Sequence, residues 1–490
     1  MTAGRGGRRA GRAAGVKGDA GSGQQVSGMS KTAAARPAEA GCKRVTAAAT
    51  HRGEDTICTQ HASAGNAPID MKNLFETTED ALRINGGWKD FFGAMIATKE
   101  MGNMTTRTFN MPTTVHIGVN AAAEVGPAAA RQGASRALLV TDQILIDTGT
   151  IEPVFASLRQ AGIPVEIYAG VDKEPTLTHV EEGLGIIRRS RCDLVIGCGG
   201  GSSLDVAKAV SVMATNPGVI QQYMGADKVR QKGLPLFAVP TTAGTGSEAT
   251  MFTIITDSEH DVKMLIGSPY LMPQVAFVDP GLTMAMPRGL TAATGLDALT
   301  HAIEAYVSRK AQPMTDVLAL SAVGLIYRNL PKAWQQPDDL EARSQTMLGA
   351  FQAGIAFSNA SVALVHGMSR PVGALFYVPH GISNAALLGV VMEFSLSGNP
   401  KRYADIARAM GVDCPAQADD ATVAQAGADA VKGLIAALKV PGLQHLGVSR
   451  EKLDPVVAKM AEDALASGSP GNNPRLASKQ EIIELYYAAL

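Results

Sequence analysis

The strongest constraint on the fold is an alternation that runs up to about residue 280 and then stops. Short apolar runs, Arg136–Asp142, Pro164–Ala169, Cys192–Gly197, Leu234–Val239 and Val275–Asp279, read as buried strands. Between the first three lie amphipathic stretches, Ile151–Ala161 and Val180–Ser190, with helical spacing. Near-continuous apolar strands separated by helices of this length form β-α-β units around a parallel sheet. Beyond Pro280 the strand-like runs end. Segments 291–308, 314–331, 340–357, 401–410, 420–438, 451–466 and 478–489 carry helical periodicity instead. The expected fold is an α/β dinucleotide-binding domain, Rossmann-like, over 104–280, followed by an all-α domain over 281–490.

The segment before these, 1–103, differs in composition. Residues 1–50 hold nine basic and two acidic residues among many Gly, Ala and Ser. The expectation is a low-complexity, disordered extension. Its Arg-rich, acid-poor character also resembles a transit peptide, but it lacks the apolar core of a secretory signal. The whole chain is nearly neutral, at net charge −1. That balance argues against nucleic acid as a partner. No uncharged apolar run reaches membrane-spanning length. Five scattered cysteines without a C-x-x-C pair suit neither a disulfide framework nor a cysteine zinc site, so a reducing, cytoplasmic setting is expected.

Two turns carry polar chemistry at strand ends. The third strand runs into Gly199-Gly200-Gly201-Ser202-Ser203-Leu204-Asp205 and then a helix. Glycines let a phosphate approach the backbone, and the first N–H groups of a helix point at it. Ser202 or Ser203 is suited to cap that helix. The motif matches neither G-x-G-x-x-G nor a Walker loop, and three glycines are also compatible with a plain tight turn. The fourth strand leads into Pro240-Thr241-Thr242-Ala243-Gly244-Thr245-Gly246-Ser247-Glu248. Two such turns at neighbouring strand ends favour a dinucleotide over either turn's plain reading. Asp142 ends the first strand, where a carboxylate can bond a ribose 2′-hydroxyl and repel a 2′-phosphate, favouring NAD. Capping the turn that follows is its alternative role.

The helical half holds a second constellation. Asp297 and His301 are four residues apart on a helix, hence on one face. Their small and apolar flanks imply burial, which a carboxylate tolerates when paired or bound to a metal. Glu304 follows one turn on, placed to support a ligand. His366 and His380 have Pro371 and Pro379 between them, so they belong to different helices. His366 is expected to end a helix built on Val362–Val365, and His380 to begin the next. One carboxylate and three imidazoles suit Fe2+, Zn2+ or Mn2+. Core histidines bonded to carbonyls are the alternative.

These motifs, in this order from about Phe109 to Leu490, resemble the iron-containing (group III) alcohol dehydrogenases. The segments that carry the resemblance are Gly199–Asp205, Pro240–Glu248, Asp279-Pro280, Gly295–Tyr306, and His366-Gly367-Met368 through Pro379-His380-Gly381. The resemblance implies that Asp297, His301, His366 and His380 form the catalytic metal centre, with Fe2+ or Zn2+. It also implies that Gly200, Gly201, Ser202, Thr241 and Thr242 contact NAD, with Asp142 at the adenine ribose. Asp205, closing the glycine motif, and Lys263 are counted with the cofactor-binding residues. The reaction implied is hydride transfer between nicotinamide and a small alcohol or aldehyde, in a homodimer or larger homo-oligomer. Many relatives carry a histidine four residues after the third ligand, where this chain has Arg370. A guanidinium there suits a carboxylate or phosphate on the substrate, such as a hydroxy acid like 4-hydroxybutyrate; a structural ion pair is the alternative. Glycerol dehydrogenases and dehydroquinate synthases share the glycine turn but not this ligand order. A catalytically dead relative would lack ligands that this chain retains. Because the resemblance begins close to Met104, a chain starting there should be as active as the whole.

Overall fold

The computed structural model describes residues 106–490, apart from Lys173 and Asp261. The expected low-complexity extension 1–103 and Met104 lie outside the described residues. Six strands form one parallel sheet: β1 (Thr114–Ile117), β2 (Ala137–Val140), β3 (Val165–Tyr168), β4 (Leu194–Gly199), β6 (Leu236–Pro240) and β9 (Val275–Val278). Their order is β1-β9-β6-β4-β2-β3. The helices α1 (Val125–Arg131), α2 (Gln143–Asp147), α3 (Glu152–Gln160), α4 (Leu177–Ser190) and α5 (Gly201–Met213) connect and flank it.

The central strands β2, β4, β6 and β9 are apolar because both faces are covered, whereas the edge strands β1 and β3 carry Thr114, His116 and Glu166 and leave Ile117 and Ile167 exposed. Leu138, Val140 and Val195 join one core with α4 and α5, while Ala137, Leu139, Leu194 and Ile196 join the other with α1 and α3. From β2 the chain moves outward to β3 and then returns to β4 on β2's other side. This reversal opens a crevice beyond the carboxyl ends of β2 and β4, where ligands of such sheets bind. Asp142 follows one of these ends and Gly199–Gly201 the other.

A small second sheet was not expected. It pairs β7 (Phe252–Asp257) antiparallel with β8 (Val262–Gly267), and β8 with the two-residue β5 (Gly225–Ala226). In β7, Thr253 and Asp257 are buried while Ile254 is exposed. That inversion hides the strand from an apolar-in reading.

The all-helical part follows: α6 (Arg288–Val307), α7 (Pro313–Gln335), α8 (Leu340–Ala360), α9 (Leu364–Phe376), α10 (His380–Ser395), α11 (Pro400–Met410), α12 (Asp420–Ala437), α13 (Arg450–Leu453), α14 (Val457–Ala466) and α15 (Lys479–Ala488). Its core is continuous with Ala243, Ala249, Ala276 and Val278 of the sheet part. One expectation is corrected here. His366 lies in the first turn of α9 rather than at a helix end, and Pro371 sits inside that helix.

Candidate metal and nucleotide site

The site is built from the middle of α6 and the starts of α9 and α10. Asp297 and His301 lie one turn apart on α6 and are both buried. Next along the same face, Glu304 receives Ala363 N (2.9 Å) and Val365 N (2.6 Å), the backbone at the start of α9. A carboxylate is favourable at a helix N-terminus, where amides lack partners inside the helix. Glu304 Oε2 also takes Nδ1–H of His366 at 2.6 Å. This leaves His366 Nε2 to face Asp297 Oδ1 at 3.6 Å.

His380, the first residue of α10, brings its Nε2 to 3.8 Å from the same oxygen. Close packing sets this position: a Cβ on Gly381 would lie 2.4 Å from Ala293 O of α6. The His301 ring stacks between Phe357 (centroids 4.1 Å) and His366 (4.5 Å). Its Nδ1 is buried without a hydrogen-bond partner. Candidate ligand atoms of Asp297, His301 and His366 all lie within 4.8 Å of one another.

The electrostatics divide these groups. Burial alone would raise the Asp297 carboxyl, but His301, His380 and His366 outweigh it and hold it far below the usual carboxylate range. Burial pushes His301 down to about 3, against the pull of Asp297, so its ring is neutral. Burial would lower His366 too, but the Glu304 charge and hydrogen bonds to Asp297 and Glu304 lift it to about 9. His380 is lowered, chiefly by desolvation. Its side chain is 51% exposed, so that lowering is weaker than at His301.

Sequence reading missed Asn384. Its Nδ2 lies 2.6 Å from Asp297 Oδ1, 3.1 Å from His366 Nε2 and 3.2 Å from His380 Nε2. Its Oδ1 is buried and unpartnered. The available signal was its spacing, four residues after His380 on one helix.

The nucleotide candidates form a second group. Thr241 N bonds Gly199 O at 3.0 Å, so the β4 and β6 turns run side by side. A Cβ on Gly201 would lie 2.9 Å from Thr245 Cγ2, while one on Gly200 would meet nothing closer than 3.7 Å, at Thr242. Gly200 is the N-cap of α5, and neither Ser202 nor Ser203 caps the helix. Asp142 Oδ1 accepts Leu145 N at 3.0 Å and caps α2, so its cap role is realised.

Asp205 is turned inward. Its carboxylate accepts Ser247 Oγ at 2.7 Å and Ile254 N at 2.9 Å, tying α5 to the second turn and to β7. Lys208, also missed, is buried and donates to Thr250 Oγ1 and Phe252 O, each at 2.8 Å. Lys263 is ion-paired with Glu174 at 2.6 Å and its charge bears on His380. Arg370, on α9, bears on His380 and Glu304.

A parallel-sheet unit with polar turns at its carboxyl edge, joined to a helical unit that gathers a carboxylate and three imidazoles, defines a nucleotide-and-metal class of enzyme. Residues 112–280 match the family model described as iron-containing alcohol dehydrogenase, and residues 291–490 match the C-terminal model of the Fe-containing alcohol dehydrogenase family. The chain is 38% identical over 383 residues to the NAD-dependent methanol dehydrogenase of Bacillus methanolicus, covering 78% of this chain and 99% of that one. It is 39% identical over 391 residues to the 1,3-propanediol dehydrogenase of Klebsiella pneumoniae, covering 79% and 100%. The crystal structure of a 1,3-propanediol oxidoreductase superposes with a TM-score of 0.77 at 38% identity, covering 79% of this chain and 100% of that one. The chain belongs to the iron-containing alcohol dehydrogenase family.

Proposed function

We propose that the protein is a metal-dependent, NAD(H)-linked alcohol dehydrogenase and aldehyde reductase, with Asp297, His301, His366 and His380 as ligands of a divalent ion, Fe2+ in the first place. The observation that carries this reading is the convergence of three imidazoles on the buried Asp297 carboxylate. The donor set fits such an ion: Asp297 is held anionic, and His301 is held neutral with a buried nitrogen that has no protein partner. When bound, the ion supplies Lewis acidity that lowers a hydroxyl's pKa or polarises a carbonyl, and the dinucleotide supplies the hydride acceptor or donor.

The chain's own residues do the positioning. Glu304 holds a proton of His366 on Nδ1, so Nε2 is the nitrogen that would give its lone pair to the ion, its own proton being lost when the ion binds. Asn384 holds the Asp297 carboxylate in orientation. The uncapped start of α5, behind Gly200, Gly201 and Ser202, offers N–H groups to a diphosphate, with Thr241 and Thr242 on the opposite wall. Asp142, beside the switch crevice, selects a ribose hydroxyl over a 2′-phosphate. Asp205 serves this site by fixing its walls. Residues 104–280 and 281–490 would be the nucleotide and metal domains. A cytoplasmic homo-oligomer is part of the proposal, read by light scattering.

The test is metal analysis of the purified protein with an NAD-linked panel of alcohols and aldehydes. Chelation should remove activity, and added Fe2+ or Zn2+ should restore it. Undiminished activity after complete metal removal would overturn the assignment.

A further inference from the structure

Arg370 is unlike the other sheltered arginines of the protein. Arg136 pairs with Glu166, Arg402 with Asp316, and Arg475 with Glu481. Arg343 donates to Thr291 Oγ1 and to the carbonyls of Pro337 and Met286. Arg370 is also partly buried, yet it has no hydrogen bond and no ion pair among the described residues. A guanidinium carries five donors, and leaving them unmet where water is scarce costs free energy.

Its place gives that deficit a direction. Arg370 lies four residues after His366 on α9, so the two share a face with Cβ atoms about 5–6 Å apart. Its charge is felt by His380, the candidate ligand whose ring is half exposed and marks the open side of the site. The neighbouring anions are already engaged. Glu304 serves His366 and two backbone amides, and Asp297 takes Asn384. Lys263, the other cation bearing on His380, is matched by Glu174. One unmatched, planar, doubly donating cation therefore remains beside the reacting centre.

Resting on the function proposed above, we infer that Arg370 is a specificity-determining residue that receives an anionic oxyacid group, a carboxylate in the simplest case, at the far end of the substrate alcohol or aldehyde. A fork of two N–H donors fits two carboxylate oxygens, which a neutral chain end cannot offer.

The experiment compares reduction of 4-oxobutanoate and butanal by the metal-loaded full chain with NADH, for wild type, Arg370→Ala and Arg370→Lys. Wild type should favour 4-oxobutanoate in kcat/KM by about 10-fold or more. In Arg370→Ala that ratio should fall by about 10- to 100-fold, mainly through KM, and Arg370→Lys should recover part of it. Butanoate, which cannot react, should inhibit wild type competitively against aldehyde, with a weaker inhibition constant in Arg370→Ala. A wild type indifferent to the carboxylate, or a variant that loses both aldehydes equally, would overturn the inference. So would a variant whose defect lies in the KM for NADH, which would assign the guanidinium to the cofactor's phosphates. Turnover of neither aldehyde nor any alcohol by wild type would instead defeat the dehydrogenase reading beneath it.

Discussion

The amide nitrogen of Asn384 has two protons and three close neighbours, Asp297 Oδ1 and the Nε2 atoms of His366 and His380, all on candidate metal ligands. Replacing Asn384 by Leu keeps the volume and removes the donor. Asp297 should then lose its orientation, and metal affinity should fall about 10- to 100-fold, as for other groups supporting ligands. Competition with a chromophoric chelator measures this; an unchanged affinity would exclude the role. His301→Ala should abolish metal retention and activity while circular dichroism keeps the folded spectrum. Asp142 caps α2, and its proposed role at the ribose separates from that cap experimentally. Asp142→Ala should lower the NAD/NADP preference, and it should also cost about 1 kcal/mol by removing the cap of α2. The Asp297–His301 pair was legible in sequence because one helix sets its spacing. Asn384 was not, since its partners come from three helices and an asparagine carries no distinctive chemistry alone.

At the level of elements, α5 joins two turns and a strand through groups that are costly to bury. Glu248 lies in this layer, and burial pushes its carboxyl up to about 7 from the ordinary 4.5. A raised folded-state value means the fold binds this proton more tightly than the unfolded chain. Its stabilising contribution is complete below about pH 4.5 and is lost as pH rises through about 7. Thermal unfolding of wild type should therefore weaken across that interval relative to Glu248→Gln; parallel curves would refute it. Lys208, lowered by burial to about 8, acts above that window. Five of the six parallel strands were legible as apolar runs, the central ones because both sheet faces are covered; the edge strand β1 was not, since Thr114 and His116 break its apolar run and both its ends are exposed. The β7–β8 pair was not, because Thr253 faces inward while Ile254 and Leu265 face out. The start of α9 was misplaced because Pro371 reads as a breaker, whereas here it is buried inside the helix.

At the level of the whole molecule, the relatives above align over 99–100% of their own length while covering 78–79% of this chain. The family models begin at residue 112. A chain starting at Met104 should match the full chain in kcat/KM and melting temperature. A collapse of either would give residues 1–103 a part in the working enzyme. Among the described residues, one helical stretch, His380–Gly398, is long and apolar enough to cross a membrane, and half of it is buried in the fold. It carries His380 and Asn384, so its apolar character serves the core around the site. The division into a strand-rich part and a helical part was legible from periodicity, since each has one dominant spacing. The contact of the second turn with α6 and α8 was not, because it depends on Gly244 against Thr294 and Gly246 against Gly354, close approaches between distant segments.

The bonds from Ala363 and Val365 to Glu304 tie the birth of a helix to the aim of the His366 ring, a proposed ligand. Those two amide protons are spectroscopic witnesses. Their exchange with deuterium should slow or quicken together with the state of the His366 ring, so the integrity of the centre can be followed residue by residue without substrate, cofactor or turnover.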